Sequence, residues 1–101
     1  MIRAEVKTEP HGYVVWATVT DNNDNREHLP LRNFGEYQSA AIEFRNYINS
    51  PKVVDYERLV RNVKLWAKSY NPEILYTYPT ILKNGNIALI KQSKNNNNGK
   101  N

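Results

Sequence analysis

Residues 2–20 read IRAEVKTEPHGYVVWATVT, and this stretch decides the fold. Ile2, Ala4 and Val6 alternate with Arg3, Glu5 and Lys7, the period of two that marks a half-buried strand. Glu9-Pro10-His11-Gly12 is a turn: proline sets its second position and glycine supplies the positive φ that follows. Tyr13 to Thr20 is β-branched and aromatic, a second strand. A turn that sets Thr8 opposite Tyr13 also sets Val6 against Val15, Ala4 against Ala17 and Ile2 against Val19. One face of the hairpin then becomes apolar, which specifies the register. The other face carries Arg3, Glu5, Lys7, Val14, Trp16 and Thr18.

Beyond this hairpin, Asp21-Asn22-Asn23-Asp24-Asn25 has the composition of an Asx-rich turn. It lacks the sixth-position glycine and twelfth-position glutamate of a calcium loop. Arg26 to Leu31 is predicted as a third strand, with Pro30 confining it to an edge or ending it. Asn33 and Glu36 are spaced as a capping box for a first helix. On that helix Tyr37, Ala40, Ala41, Phe44, Tyr47 and Ile48 share one apolar arc. Ser50-Pro51 ends it and opens a second helix from about Lys52 to Tyr70. Tyr56, Leu59, Val60, Val63, Trp66, Ala67 and Tyr70 form its apolar stripe. Ile74 to Leu82 and Asn86 to Gln92 then read as strands joined at Asn84-Gly85, a type I′ hairpin signal. From Ser93 onward the chain has no apolar residue and reads as a disordered tail.

The expected fold class is therefore α+β: an N-terminal antiparallel three-stranded meander, two α-helices and a C-terminal β-hairpin. Residues 1–92 form a single domain and 93–101 an Asn/Lys-rich tail. A chain of 101 residues supports one thin core and no more. There is no cysteine, which excludes disulfides, thiol nucleophiles and cysteine-based zinc sites. No apolar run approaches the roughly 18 residues of a membrane span, and the N-terminus lacks a signal-peptide pattern. An intracellular protein without membrane contact is expected. Fifteen asparagines, small size and the missing cysteine suit a phage, archaeal virus, plasmid or AT-rich bacterium.

The net charge of +4 is uneven. Residues 1–50 carry five Lys/Arg against seven Asp/Glu, whereas residues 51–101 carry nine against three. A basic half favours polyanions, nucleic acid above all. On the second helix Arg61, Lys64 and Lys68 lie within about 60° of one another, with Arg58 flanking them. Such a row can track phosphates, although most amphipathic helices simply present a solvated face opposite the core. Lys83 falls at the tip of the C-terminal hairpin.

Within residues 12–48, Trp16-Ala17, Val19, Asp21, Arg26, Leu31, Phe34, Ala40-Ala41 and Phe44 follow a three-stranded sheet leading into an alanine-rich helix. This segment resembles the small DNA-binding domains of phage tyrosine recombinases and the APETALA-type domain of plant transcription factors. The resemblance implies a sheet that enters the major groove, with arginine and tryptophan of its exposed face on the DNA. Arg3, Lys7, Trp16 and Arg26 match that contact type. The chain departs from the pattern where Glu5 stands opposite Trp16, and no recombinase core follows. Trp16 has two roles open to it, stacking on a base or packing under the second helix, and packing is the favoured one.

No enzymatic constellation emerges. His11 and His28 are the only histidines, placed in a turn and in the third strand. They suit acid–base chemistry only if they converge on one phosphate. They are too few for zinc. Glycine-rich phosphate loops and nucleophile elbows are missing, so no cofactor or metal is expected. The leading expectation is a non-enzymatic nucleic-acid-binding accessory protein, with duplex DNA favoured. Its contacts would be Arg58, Arg61, Lys64, Lys68, Lys83, Arg3, Lys7, Trp16 and Arg26. The alternative is a small inhibitor or adaptor that binds a host protein, for which an exposed aromatic patch would be the signature.

Overall fold

A computed structural model describes residues 1–50, 55–83 and 87–92. The fold is α+β. Strands β1 (Ile2–Glu9), β2 (Gly12–Thr20) and β3 (Arg26–Asn33) form an antiparallel sheet in the order β1-β2-β3. Helices α1 (Gln38–Ile48) and α2 (Tyr56–Lys68) follow, then β4 (Thr80–Ile81) and β5 (Ile87–Ala88) pair as a separate two-stranded sheet. The expected hairpin turn at Asn84-Gly85 and the tail at 93–101 lie outside the described residues.

The register of β1 and β2 is the one the apolar alternation predicts: Thr8 with Tyr13, Val6 with Val15, Ala4 with Ala17, Ile2 with Val19. Ala4, Val15, Ala17 and Val19 are buried on one face, and Ala40, Ala41, Phe44 and Ile48 of α1 close over it. Phe44 joins the two helices, with its ring 5.7 Å from Phe34 and 5.0 Å, edge-on, from Trp66. Leu59 and Val63 of α2 complete this core. Asp21 shapes the β2–β3 turn by accepting hydrogen bonds from the main-chain N–H groups of Asn23 (2.8 Å) and Asn25 (2.9 Å). These bonds hold its carboxyl below the usual carboxylate range.

β3 runs two residues further than its sequence suggests. The pairing passes from Val15–Arg32 to Trp16–Pro30, so Leu31 is the extra residue of a bulge. Pro30, without an N–H, is tolerated there on an edge strand. Leu31 is fully buried.

Asn33 corrects the expected capping box. It does not cap α1, which starts at Gln38 after a non-helical Tyr37 with no side-chain cap; Glu36 is exposed. Tyr37 is thereby exposed rather than on the apolar arc. Asn33 is instead the last residue of β3 and wholly buried. Its Nδ2 donates to the carbonyls of His11 (3.2 Å) and Pro72 (2.8 Å), and its Oδ1 accepts from the Gly35 N–H (2.8 Å). A Cβ on Gly12 would stand 2.5 Å from that Oδ1, and Gly12 has φ +142°, so glycine is required there. Within the described residues Asp55 caps α2, accepting from the Arg58 N–H at 2.9 Å; the helix start expected at Ser50-Pro51 involves residues outside the described ones.

Replacing Asn33 with alanine removes the side-chain partner of two part-buried carbonyls and of the buried Gly35 N–H. Asn33→Ala is expected to lower unfolding free energy by about 2–4 kcal/mol, measured by urea denaturation. A loss below about 0.5 kcal/mol, the level of a surface substitution, would show that the carboxamide is not structurally required.

Candidate nucleic-acid interface

The structure divides the nine candidate contacts among three places. Parity along the strands puts Arg3, Lys7, Trp16 and Arg26 on the sheet face turned away from the helices. Arg58, Arg61, Lys64 and Lys68 belong to α2, whose Leu59 and Val63 point into the core on the other side of the sheet. Lys83 is exposed beside β4. No single surface gathers all nine.

On the open sheet face, Trp16 does not pack under α2 as favoured from sequence. Its strand parity sets it beside Glu5 and Pro30, away from the helices. Its indole N–H donates to Glu9 Oε2 at 2.6 Å, and its ring stacks on His28 with centroids 4.8 Å apart. The Lys7 ammonium lies 4.7 Å from the centre of the same ring. Lys7 Nζ also sits 2.8 Å from His28 Nε2, and His28 Nδ1 lies 2.9 Å from Thr18 Oγ1. Lys7 and Trp16 are thus engaged by intramolecular partners. Arg3 and Arg26 have no carboxylate partner among the described residues.

The two histidines do not meet. His28 is stacked on one side of Trp16, while His11 Nε2 lies 3.4 Å from Glu9 Oε1 and 3.3 Å from the Tyr70 hydroxyl. Glu9 and the indole stand between them. Among the described residues no group of three or more histidine or acidic side chains is placed to hold a metal.

Along α2 the exposed arc is Glu57, Arg61, Lys64, Leu65 and Lys68, with Arg58 half-buried at its margin. Among the described residues Lys64 is the one cation of this arc with an acidic partner, Glu27 of β3, at 3.7 Å. Arg58, Arg61 and Lys68 have none among the described residues. Leu65 is 63% exposed between them, and the apolar-stripe pattern did not mark it. Its wheel position, on the polar side, was the available signal. The far end of α2 is fixed by Arg32, whose Nη1 donates to the carbonyl of Trp66 at 2.9 Å. Its guanidinium lies 5.0 Å from the centre of the Tyr76 ring, and burial pulls it below the ordinary arginine value.

Comparison with family models, with characterised proteins and with solved structures finds no match to this chain. No helix among the described residues is long and apolar enough to cross a membrane.

Burial, and secondarily the Glu9 carboxylate, raise the Tyr70 phenol above its usual value. The unfolded chain then releases this proton first, so the corresponding stability is present below about pH 10 and lost as pH rises beyond it. Tyr70→Phe is expected to lose less stability than the unmodified protein between about pH 9 and pH 11, read from urea midpoints. Parallel curves would contradict the assignment.

Proposed function

We propose that this protein binds nucleic acid, duplex DNA in particular, without catalysing a reaction, and that the outer face of α2 makes the contact. One observation carries the reading: Arg58, Arg61 and Lys68 project from one helix face without acidic partners among the described residues. These residues span about 15 Å along the helix axis, comparable to the roughly 12 Å width of a B-form major groove. Cations so spaced can neutralise phosphates on both groove walls, releasing condensed counterions. Leu65 at their centre offers an apolar contact suited to a thymine methyl group. An accessory protein of a virus or mobile element is the setting that the composition favours.

The recombinase-like reading would instead place Arg3, Lys7, Trp16 and Arg26 on DNA. It has less support, because Lys7 and Trp16 are held by His28 and Glu9. The alternative of a small inhibitor or adaptor draws on a different observation. Tyr78, Leu82 and Ile90 are exposed near the C-terminal strands, an apolar surface of the kind proteins bind.

Two substitutions of opposite sign test the helix reading. Arg61→Glu with Lys68→Glu removes two phosphate contacts and is expected to lower the logarithmic salt slope on duplex DNA by about 1.8. Glu27→Gln frees Lys64 and is expected to raise it by about 0.9. Gel shifts at several salt concentrations measure both. A silent helix variant with damaging Arg3→Ala and Trp16→Ala would move the contact to the sheet. No salt-sensitive binding to any nucleic acid would transfer the function to protein recognition.

A further inference from the structure

The end of the open sheet face away from Trp16 has a different character. Arg3 of β1 pairs with Thr18, and Arg26 of β3 pairs with Thr20, so two threonine hydroxyls lie between two arginines. The outer strands are about 10 Å apart, a span that two arginine side chains can close over. A groove of ≈ 690 Å³ opens at this point, lined by Arg3, Thr18, Thr20, Arg26 and Glu5, with Arg45 of α1 entering at the β1 edge. Asn49 of the α1 C-terminus fixes that edge. Its Oδ1 accepts from the Ala4 N–H at 2.8 Å and its Nδ2 donates to the Ala4 carbonyl at 2.9 Å.

From this geometry we infer a second binding site, one for a small molecule that carries a phosphate or polyphosphate group. Among the described residues the groove is lined by three arginines and one carboxylate, Glu5. Arg3 and Arg26 have no acidic partner among the described residues. Among the described residues Arg45 is held by a neutral oxygen alone, with Nε and Nη2 donating to Asn46 Oδ1 at 3.1 and 2.9 Å, which orients its fork. Glu5, the one carboxylate, leans toward the other end of the face, with Oε2 4.0 Å from His28 Nε2. Guanidinium forks bind phosphate oxygens in pairs, and threonine hydroxyls add neutral donors, that of Thr18 while also lying 2.9 Å from His28 Nδ1. The volume falls within the roughly 300–1,000 Å³ of small-molecule sites, whereas the convex face of α2 suits an extended polyanion. The two sites use no residue in common, so this inference stands independently of the DNA reading.

The test is an NMR titration of the full chain at about 150 mM salt, where weak surface attraction is screened. Inorganic pyrophosphate, adenosine 5′-diphosphate and adenosine are added separately. Pyrophosphate is expected to shift the Arg3, Thr18, Thr20 and Arg26 amides saturably, with a Kd below about 1 mM. Adenosine is expected to shift none of them. Arg3→Ala with Arg26→Ala should weaken binding about tenfold or more. Arg45→Gln, which keeps a neutral donor, should weaken it less, and Arg61→Glu with Lys68→Glu should leave it unchanged. Tighter binding of the diphosphate than of pyrophosphate assigns the site to a nucleotide; equal binding assigns it to free polyphosphate. Both support the inference. It is overturned if pyrophosphate does not saturate these amides, or if binding survives both the Arg3/Arg26 and the Arg45 substitutions in folded protein.

Discussion

The carboxamide of Asn33 is the constraint around which the chain is arranged. Sealed from solvent, it binds the carbonyl of His11, the carbonyl of Pro72 and the N–H of Gly35. Those partners belong to the β1–β2 turn, the segment after α2 and the loop before α1. Its backbone carbonyl accepts from the Tyr76 N–H at 2.9 Å, and Asn33 bridges Leu75 in parallel. One polar side chain therefore sets how three irregular segments meet. Gln92 repeats the device, with Nε2 donating to the carbonyls of Phe34 and Tyr76.

With the core on one side, the sheet's other face carries charge and aromatic surface. Along it the character changes. Near the β1–β2 turn, Lys7, Trp16, His28 and Glu9 satisfy one another. At the opposite end, Arg3 and Arg26 flank two threonines. The exposed cations of α2 lie on the far side of the sheet from both. Four of the nine Lys/Arg of the second half of the sequence lie on α2, which is joined to the sheet through Lys64 and Glu27.

What was legible in the sequence follows from periodicity. The β1–β2 register could be read because a one-residue slip would move Val6, Val15 and Ala17 from the core to solvent. The arc of Ala40, Ala41, Phe44 and Ile48 could be read for the same kind of reason. Asn33 was misread because a cap-type residue three positions before a glutamate has the same local pattern whether it caps a helix or ends a strand. Only the approach of Gly12 and Pro72 decides between them, and that approach is tertiary. Strands of nine and seven residues are expected between Ile74 and Gln92; the two segments do pair, from Leu75–Gln92 and a Tyr76–Lys91 bridge to β4–β5, but among the described residues the regular ladder is only two residues long. Pro79, just before β4, has no N–H to give to a ladder. Arg45 reaches the groove from α1, a proximity no one-dimensional pattern encodes. The placement of Trp16 was encoded, since its parity with Arg3 and Lys7 opposes burial beneath a helix; its size argued the other way.

The central functional claim is that α2, not the sheet, meets the phosphate backbone. The most direct measurement is an amide chemical-shift map of the labelled protein with a short duplex DNA at low salt. The account predicts the largest shifts along Arg58–Lys68, centred on Arg61 and Leu65, with small changes at Lys7, Trp16 and His28. Shifts concentrated on the Lys7–Trp16 face, or none at either surface, would contradict it.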